Sequence, residues 1–311
     1  MSGASIVTVG SFDGVHLGHR AVLDEIARRG REAGLRSVLV TFDPHPLEVV
    51  NPPAAPPLLP VGPERLEVLV QTMLDEVRIV RFDRRLASLS PEAFVVEVLL
   101  GRCAMQELVI GYDHGFGRGR SGDADTLRRL GREYGFAVDV VGPVDRGSQH
   151  VSSSRIRRAV AGGDLETARL LLGRPYSVSG RVERGAGRGR TIGVPTINLA
   201  APPARKLLPP DGVYAVRVDT PVGRFGGMLN QGGRPTFGDT GRNLEAHLFG
   251  FEGDLYGRAV RVEWVARIRD VRRFASADEL KSQLAHDRAR AEALLAEAHE
   301  SSGADGARTP E

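Results

Sequence analysis

"VTVGSFDGVHLGHR" (residues 7–20) starts as an apolar strand and finishes as the opening turn of a helix. Residues 5–9, SIVTV, form the apolar run. Val22, Leu23, Ile26 and Ala27 then recur at helical spacing, which predicts a helix from about His19 to Ala33. Between strand and helix stand Gly10, Ser11, Phe12, Asp13 and Gly14, and two imidazoles, His16 and His19, flank Gly18. Little side-chain bulk at such a turn lets a ligand approach the backbone, and a helix N-terminus presents N–H groups to an anion. Histidines three apart can face one side and donate to a phosphate. An ordinary capped turn with two surface histidines would read the same way in these residues alone.

The unit repeats along the first half. Strand "SVLVTF" (37–42) leads into "DPHP" and a proline-rich loop, then a helix over 64–76 and strand "VRIVRF" (77–82). Ser90-Pro91-Glu92 reads as a helix start, with a hydroxyl cap, proline in the first turn and an acid at the positive end of the dipole. Strand "ELVIG" (107–111), a helix over 123–134 and strand "AVDVVG" (137–142) complete five β–α units. They predict an α/β, Rossmann-like domain whose parallel sheet is covered on both faces. Two short helices around Gly162-Gly163 follow, and from Tyr176 the chain breaks into short strands punctuated by glycine and proline. That pattern predicts an all-β antiparallel barrel, closed off by a helix from about Ala277 to Glu297. The expected boundaries are 1–174 and 175–299, with 300–311 a disordered tail.

At 311 residues the chain exceeds one typical core. Its 42 basic and 39 acidic residues leave a net charge of +3, short of the one-sided excess a nucleic-acid binder carries. Arginines cluster instead beside glycines, as in "GFGRGRSGD", which suits small phosphorylated ligands. No stretch approaches the ~20 apolar residues of a membrane span. A single cysteine, Cys103, excludes an intrachain disulfide and suits a reducing cytoplasm. The expectation is a cytoplasmic protein without nucleic-acid or membrane partners, a monomer or weak homo-oligomer.

The second half has its own phosphate chemistry. In "SGRVERGAGRGRTIGVPTINL" (179–199), Gly185, Gly187, Gly189 and Gly193 permit a loop whose N–H groups wrap phosphates. Thr196 and Asn198 alternate along an extended segment, so both oxygens can point to one side, as Mg²⁺ beside ATP phosphates requires. No Gly-Lys-Ser/Thr is present, and the Gly/Arg stretch alone reads equally as a flexible linker. Trp264, the only tryptophan, is expected in the barrel core.

"GSFDGVHLGH" resembles the nucleotidyltransferase motif, and "TFDPHP", "VIGYDHGFGRGRSGD" and "SSSRIR" follow in the order found in the FAD synthetase module of bacterial bifunctional riboflavin kinase/FAD synthetases. "GVPTIN", "LPPDGVYAVRV", "GMLNQGGRPTF", "LEAHLF" and "DLYG" are similar, in order, to the riboflavin kinase module. The resemblance spans about residues 5–297. It implies a bifunctional enzyme using ATP, Mg²⁺, riboflavin and FMN, with FAD as product.

Carried over residue by residue, it implies that His16, His19, Ser153 and Arg157 engage ATP phosphates, in a site floored by Gly10, Ser11, Phe12, Asp13 and Gly18. Asp43, Pro44, Asp113 and Phe116 are implied at the flavin of the adenylyl-transfer site. In the second module it assigns Thr196 and Asn198 to Mg²⁺, and Gly185, Gly189, Arg190, Gly193 and Asn198 to ATP. Asn230 and Arg234 fall to flavin, and Glu245 to the role of catalytic base.

Ser11 stands where asparagine is common, Ser154 where threonine is, His114 where an aromatic ring is, and Gln231 where isoleucine is. A protein with a single activity, its adenylyltransferase decayed or retargeted, would also fit Ser11 and His114. A flavin-binding regulator is the competitor from a different class, disfavoured because Glu245 and the Thr196/Asn198 pair would have no purpose in it.

Overall fold

The computed structural model describes residues 3–112, 122–146, 149–185, 193–233 and 242–305. By compactness the chain divides into Met1–Ser153 and Ser154–Glu311.

In the first unit, strands β1 (Ser5–Val9), β2 (Arg36–Asp43), β3 (Glu76–Arg81), β4 (Met105–Gly111) and β5 (Ala137–Val141) form one parallel sheet of order β3-β2-β1-β4-β5. The inner strands β1, β2 and β4 are largely apolar on both sides because both sides are covered. Val7, Val9, Val38, Val40, Leu108 and Ile110 share one core with Phe94, Val98, Leu127 and Leu130. Ile6, Leu39 and Val109, from the alternate positions, share the other with Leu23, Ile26, Val68 and Leu69.

Helix α1 (Leu17–Ala33) buries the predicted Val22, Leu23, Ile26 and Ala27, and Gly34 ends it in the left-handed region at φ 66°. Two short helices, α2 (Pro46–Val50) and α3 (Pro63–Val70), follow β2. Helix α3 stops well short of the predicted residue 76. Asp75 is drawn instead to Ser37, accepting from its N–H at 2.8 Å and its hydroxyl at 2.7 Å, which delivers the chain into β3.

After α4 (Arg84–Ser88), Ser90 caps α5 (Pro91–Phe94) by accepting from Ala93 N–H at 3.1 Å. The chain continues through a π-helical stretch (Val95–Leu100) into α6 (Gly101–Cys103). Helix α7 (Ala124–Tyr134), capped by Asp123, precedes β5, and a hairpin of β6 (Asp145–Arg146) and β7 (Gln149–His150) ends the unit. From β1 the chain steps one way to β2 and β3, then crosses to β4 on the other side. The turn after β1 therefore lies where strand order reverses, the position at which such sheets bind ligands.

The division falls after the first residue of α8 (Ser153–Gly162), so the second unit opens with the rest of that helix and α9 (Leu165–Leu172). Strands β8 (Ser177–Glu183), β9 (Ile197–Leu199), β10 (Gly212–Thr220), β11 (Gly223–Gly233), β12 (Arg242–Leu248) and β13 (Ala259–Arg269) close into an antiparallel barrel of order β10-β11-β12-β9-β8-β13. Paired positions Tyr214–Leu229, Leu229–Ala246, Leu244–Leu199 and Val216–Trp264 fill its interior, and Trp264 is 2% exposed, core as expected.

Helix α10 (Ala277–Asp305) covers part of the outside, where Ala215 and Met228 meet Ala291, Leu284 and Leu295. Arg269 grips the buried Asp287 of α10 with contacts of 2.7 to 3.0 Å, and Gln283 donates to the same carboxylate at 2.7 Å. The helix runs past Glu297 into the stretch expected to be disordered. Glu300-Ser301-Ser302 holds no breaker before Gly303, so the backbone has no local reason to stop.

Candidate active sites

The first site is the turn between β1 and α1. His16 caps α1: its Nδ1 accepts the His19 N–H at 3.2 Å. An accepting Nδ1 places the proton of the neutral ring on Nε2, which is left to act as a donor. The two imidazoles stack with centroids 3.6 Å apart and planes 15° from parallel, and Phe12 lies against His19 at 4.7 Å. His16 is only 5% exposed, so it is a capping residue without being a surface histidine.

The backbone here is strained. Phe12 and Val15 hold φ of 44° and 40°, and a β-branched residue in that region is an outlier costing about 1–3 kcal/mol. Their burial among Leu23, Ile26 and Val109 enforces it. Gly10 and Gly18 serve these rings directly. A Cβ on Gly10 would stand 3.0 Å from the Phe12 ring, and one on Gly18 3.3 Å from the His16 ring.

Neighbouring elements fix the turn. Asp13 accepts Leu59 N–H at 3.1 Å, while its carbonyl accepts the Ser153 hydroxyl at 2.8 Å, joining two predicted site residues 140 positions apart. Thr41 donates to the Gly10 carbonyl at 2.8 Å. Arg65 donates to the carbonyls of Ser11 at 2.6 Å and Phe42 at 2.7 Å, and to the Thr41 hydroxyl. Sequence reasoning missed Arg65. Its signal was position: with Val68 and Leu69 at i+3 and i+4, this arginine lies on the buried stripe of α3. Asp43 ends β2 and is joined to Pro44 by a cis peptide bond, and His45 with Glu48 forms a capping box on α2. Arg157 lies in α8, in the second compact unit. Asp113, His114 and Phe116 lie outside the described residues.

The second site is a row across the barrel. Asn198 of β9 and Asn230 of β11 both pair with Glu245 of β12, so the three side chains share one face. That face is opposite the one carrying Leu244, Ala246 and Leu248 to the interior. Thr196 donates from Oγ1 to Glu245 Oε1 at 2.6 Å, bringing it into the same group. Gly185 is obligatory for a reason of contact: a Cβ there would lie 2.1 Å from Asn198 Nδ2 and 2.5 Å from its Cγ. Gly193 holds φ 80° before the segment.

Gln231 is fully buried and donates to the Pro209 carbonyl at 2.6 Å, tying β11 to the "LPPDG" stretch that Tyr214 and Arg242 also hold. Gly187, Gly189, Arg190 and Arg234 lie outside the described residues. Thr196, Asn198 and Glu245 form an all-oxygen set of the kind a hard cation takes. A hydroxyl donating its proton to a carboxylate keeps its lone pairs for such an ion, so the donors present suit Mg²⁺.

Two family models match, FAD synthetase over residues 2–155 and riboflavin kinase over 172–295. The bifunctional riboflavin kinase/FMN adenylyltransferase of Escherichia coli K12 is 41% identical over 91% of this chain and 90% of its own length. That of Pseudomonas fluorescens is 39% identical over 94% and 93%. A crystal structure from Streptococcus pneumoniae, described as a macrolide-efflux protein, has a TM-score of 0.84 at 32% identity over 94% of this chain and 95% of that one. With both modules matched in order, and relatives this similar along nearly the whole length, the chain belongs to the bifunctional riboflavin kinase/FMN adenylyltransferase family.

Proposed function

We propose that the two reactions of this enzyme divide between its two sites, with residues 1–174 serving adenylyl transfer and 175–299 serving phosphorylation. The protein converts riboflavin to FMN and FMN to FAD. The observation that carries the division is the Glu245 row: a carboxylate oriented by Thr196 and flanked by two asparagines, on a fold separate from the histidine turn.

In the barrel, Glu245 orients the 5′-hydroxyl of riboflavin and takes its proton as the oxygen attacks the γ-phosphorus of ATP. Asn230 and Arg234 contact the flavin. Gly185, Gly189, Arg190, Gly193 and Asn198 contact ATP. Thr196 and Asn198 would hold Mg²⁺, which supplies charge neutralisation on the phosphates.

At the α1 turn, the histidine pair donates to the ATP phosphates as FMN attacks the α-phosphorus and pyrophosphate leaves. The positive end of α1 adds to that stabilisation. Ser153 fixes the turn through Asp13, and Arg157 is assigned to the phosphates by the family motif alone. Asp43, Pro44, Asp113 and Phe116 are assigned to FMN. Neither site needs a covalent intermediate; positioning and charge stabilisation suffice for in-line displacement.

The substrates are small molecules, and the single, buried Cys103 suits a cytoplasmic setting. Among the described residues no helix is long and apolar enough to cross a membrane.

The test is to supply riboflavin, ATP and Mg²⁺ and resolve FMN from FAD. Glu245→Gln should abolish FMN formation while conversion of supplied FMN to FAD continues, and His19→Ala should do the reverse. Equal loss of both activities in either variant would refute the division.

A further inference from the structure

We infer that His247 is a positioning residue for riboflavin phosphorylation, holding the Pro195–Thr196 peptide so that Thr196 meets Glu245. The inference rests on the reading of Glu245 and Thr196 as the phosphorylation site. His247 stands two residues after Glu245 on β12, and strand periodicity puts both on one face. Its Nδ1 lies 2.7 Å from the Pro195 carbonyl oxygen. A carbonyl only accepts, so Nδ1 carries the proton and donates it.

The segment needs such a tether. Strand β9 pairs with β12 only from Ile197 to Leu199, so Thr196 lies outside the ladder. Pro195 has no N–H and cannot be tied from its nitrogen. Its carbonyl belongs to the same rigid plane as the Thr196 nitrogen, and fixing that oxygen fixes the plane from which Thr196 hangs. Thr196 then reaches Glu245 Oε1 at 2.6 Å.

The imidazole is itself oriented. Its ring meets Phe249 edge-on, with centroids 5.7 Å apart and planes at 66°. The Arg288 guanidinium of α10 lies 5.1 Å from the other partner in that stack, the Phe249 ring. On the strand ladder His247 stands opposite Met228, which packs under α10 with Ala291, and Val194, two residues before Thr196, joins the same apolar cluster. Helix α10 thus connects to the reacting carboxylate through Phe249, His247, Pro195 and Thr196.

The test compares His247→Ala, His247→Asn and Glu245→Gln in the full-length protein. Asparagine can place an N–H near the position of Nδ1, whereas alanine cannot. His247→Ala should lower kcat/KM for FMN formation by about 10- to 100-fold, as loss of a supporting contact does. It should raise the Mg²⁺ concentration for half-maximal rate while FMN-to-FAD conversion stays at wild-type level. In the ligand-free protein, amide hydrogens of Ile197–Leu199 should exchange faster. His247→Asn should restore both readouts. Wild-type kinetics and exchange in His247→Ala, or a His247→Asn no better than alanine, would overturn the inference. A Glu245→Gln enzyme still phosphorylating at the wild-type rate would overturn the site reading beneath it.

Discussion

Replacing Gly185 by alanine puts a methyl group where the Asn198 carboxamide already sits. The added Cβ would lie 2.1 Å from Nδ2, and ordinary contact begins near 3.4 Å, so the amide must move by about 1.3 Å. Misplacement of a positioning group by about 1 Å can cost roughly 100-fold in rate, or about 2.7 kcal/mol in the barrier. The damage should stay local, because Asn198 lies on the outer row of the barrel and can swing outward without opening the interior. Gly185→Ala should therefore form FMN about 100-fold more slowly, with FAD formation from supplied FMN unchanged and the thermal midpoint nearly so. Gly180→Ala is the matched control from β8, since its Cβ meets nothing closer than 3.7 Å. Product chromatography with riboflavin and then with FMN as substrate reads both activities. Should Gly185→Ala make FMN as fast as Gly180→Ala, Asn198 has no positional role and the site must be redrawn.

Arg65→Met takes the guanidinium from the Phe42 carbonyl and leaves the Ser11 carbonyl only the longer, 3.3 Å contact from the Thr41 hydroxyl. Hydrogen bonds from a charged donor contribute about 1.5–3 kcal/mol, so the thermal midpoint should fall and FAD formation fail while FMN formation persists in enzyme kept below that midpoint. Asp287→Asn breaks the buried pair with Arg269 and should cost about 3–5 kcal/mol, read as an earlier melting transition with α10 exposed to protease. Hydrogen bonds from Arg28 and then Arg29 hold Glu25 at about 2, below its ordinary 4.5. A lowered folded-state value means stability present above pH 4.5 and lost as pH falls toward 2. Glu25→Gln should lower the melting temperature at pH 7 by about 2–4 °C for about 1 kcal/mol, and the two curves should converge near pH 2.

The sheet was legible because its signals are local. Alternate residues of β1, β2 and β4 go to opposite cores, which leaves unbroken apolar runs, and Ser90 and Asp123 cap helices from within a few residues. The barrel strands were legible by their spacing, and β9, only three residues long, showed through the alternation of Thr196 and Asn198. What stayed hidden depends on contacts between distant residues. The shortening of α3 follows from Asp75 meeting Ser37, 38 positions away. Arg65 holds Ser11 across 54 positions, and no spacing rule announces that. The glycines were read as room for a nucleotide, yet three of them make room for the protein's own side chains: Gly10 for Phe12, Gly18 for His16 and Gly185 for Asn198.

Those glycine pairs show how the two sites hold their geometry by different means. At the α1 turn, Phe12 and Val15 occupy backbone conformations that only a surrounding core can impose, so the histidine stack draws its rigidity from burial. In the barrel, Asn198, Glu245 and Asn230 stand in line because ladder register puts them there, and Thr196 is placed by hydrogen bonds at its edge. Truncating a core side chain should then act on the two reactions unequally. Val15→Ala removes packing that enforces a strained φ and should loosen the histidine pair well before the sheet unfolds. Leu244→Ala, directly beside Glu245, empties barrel interior while leaving the ladder hydrogen bonds, so phosphorylation should persist up to the melting transition. A site held by packing fails with its core, and a site held by register fails with its strands.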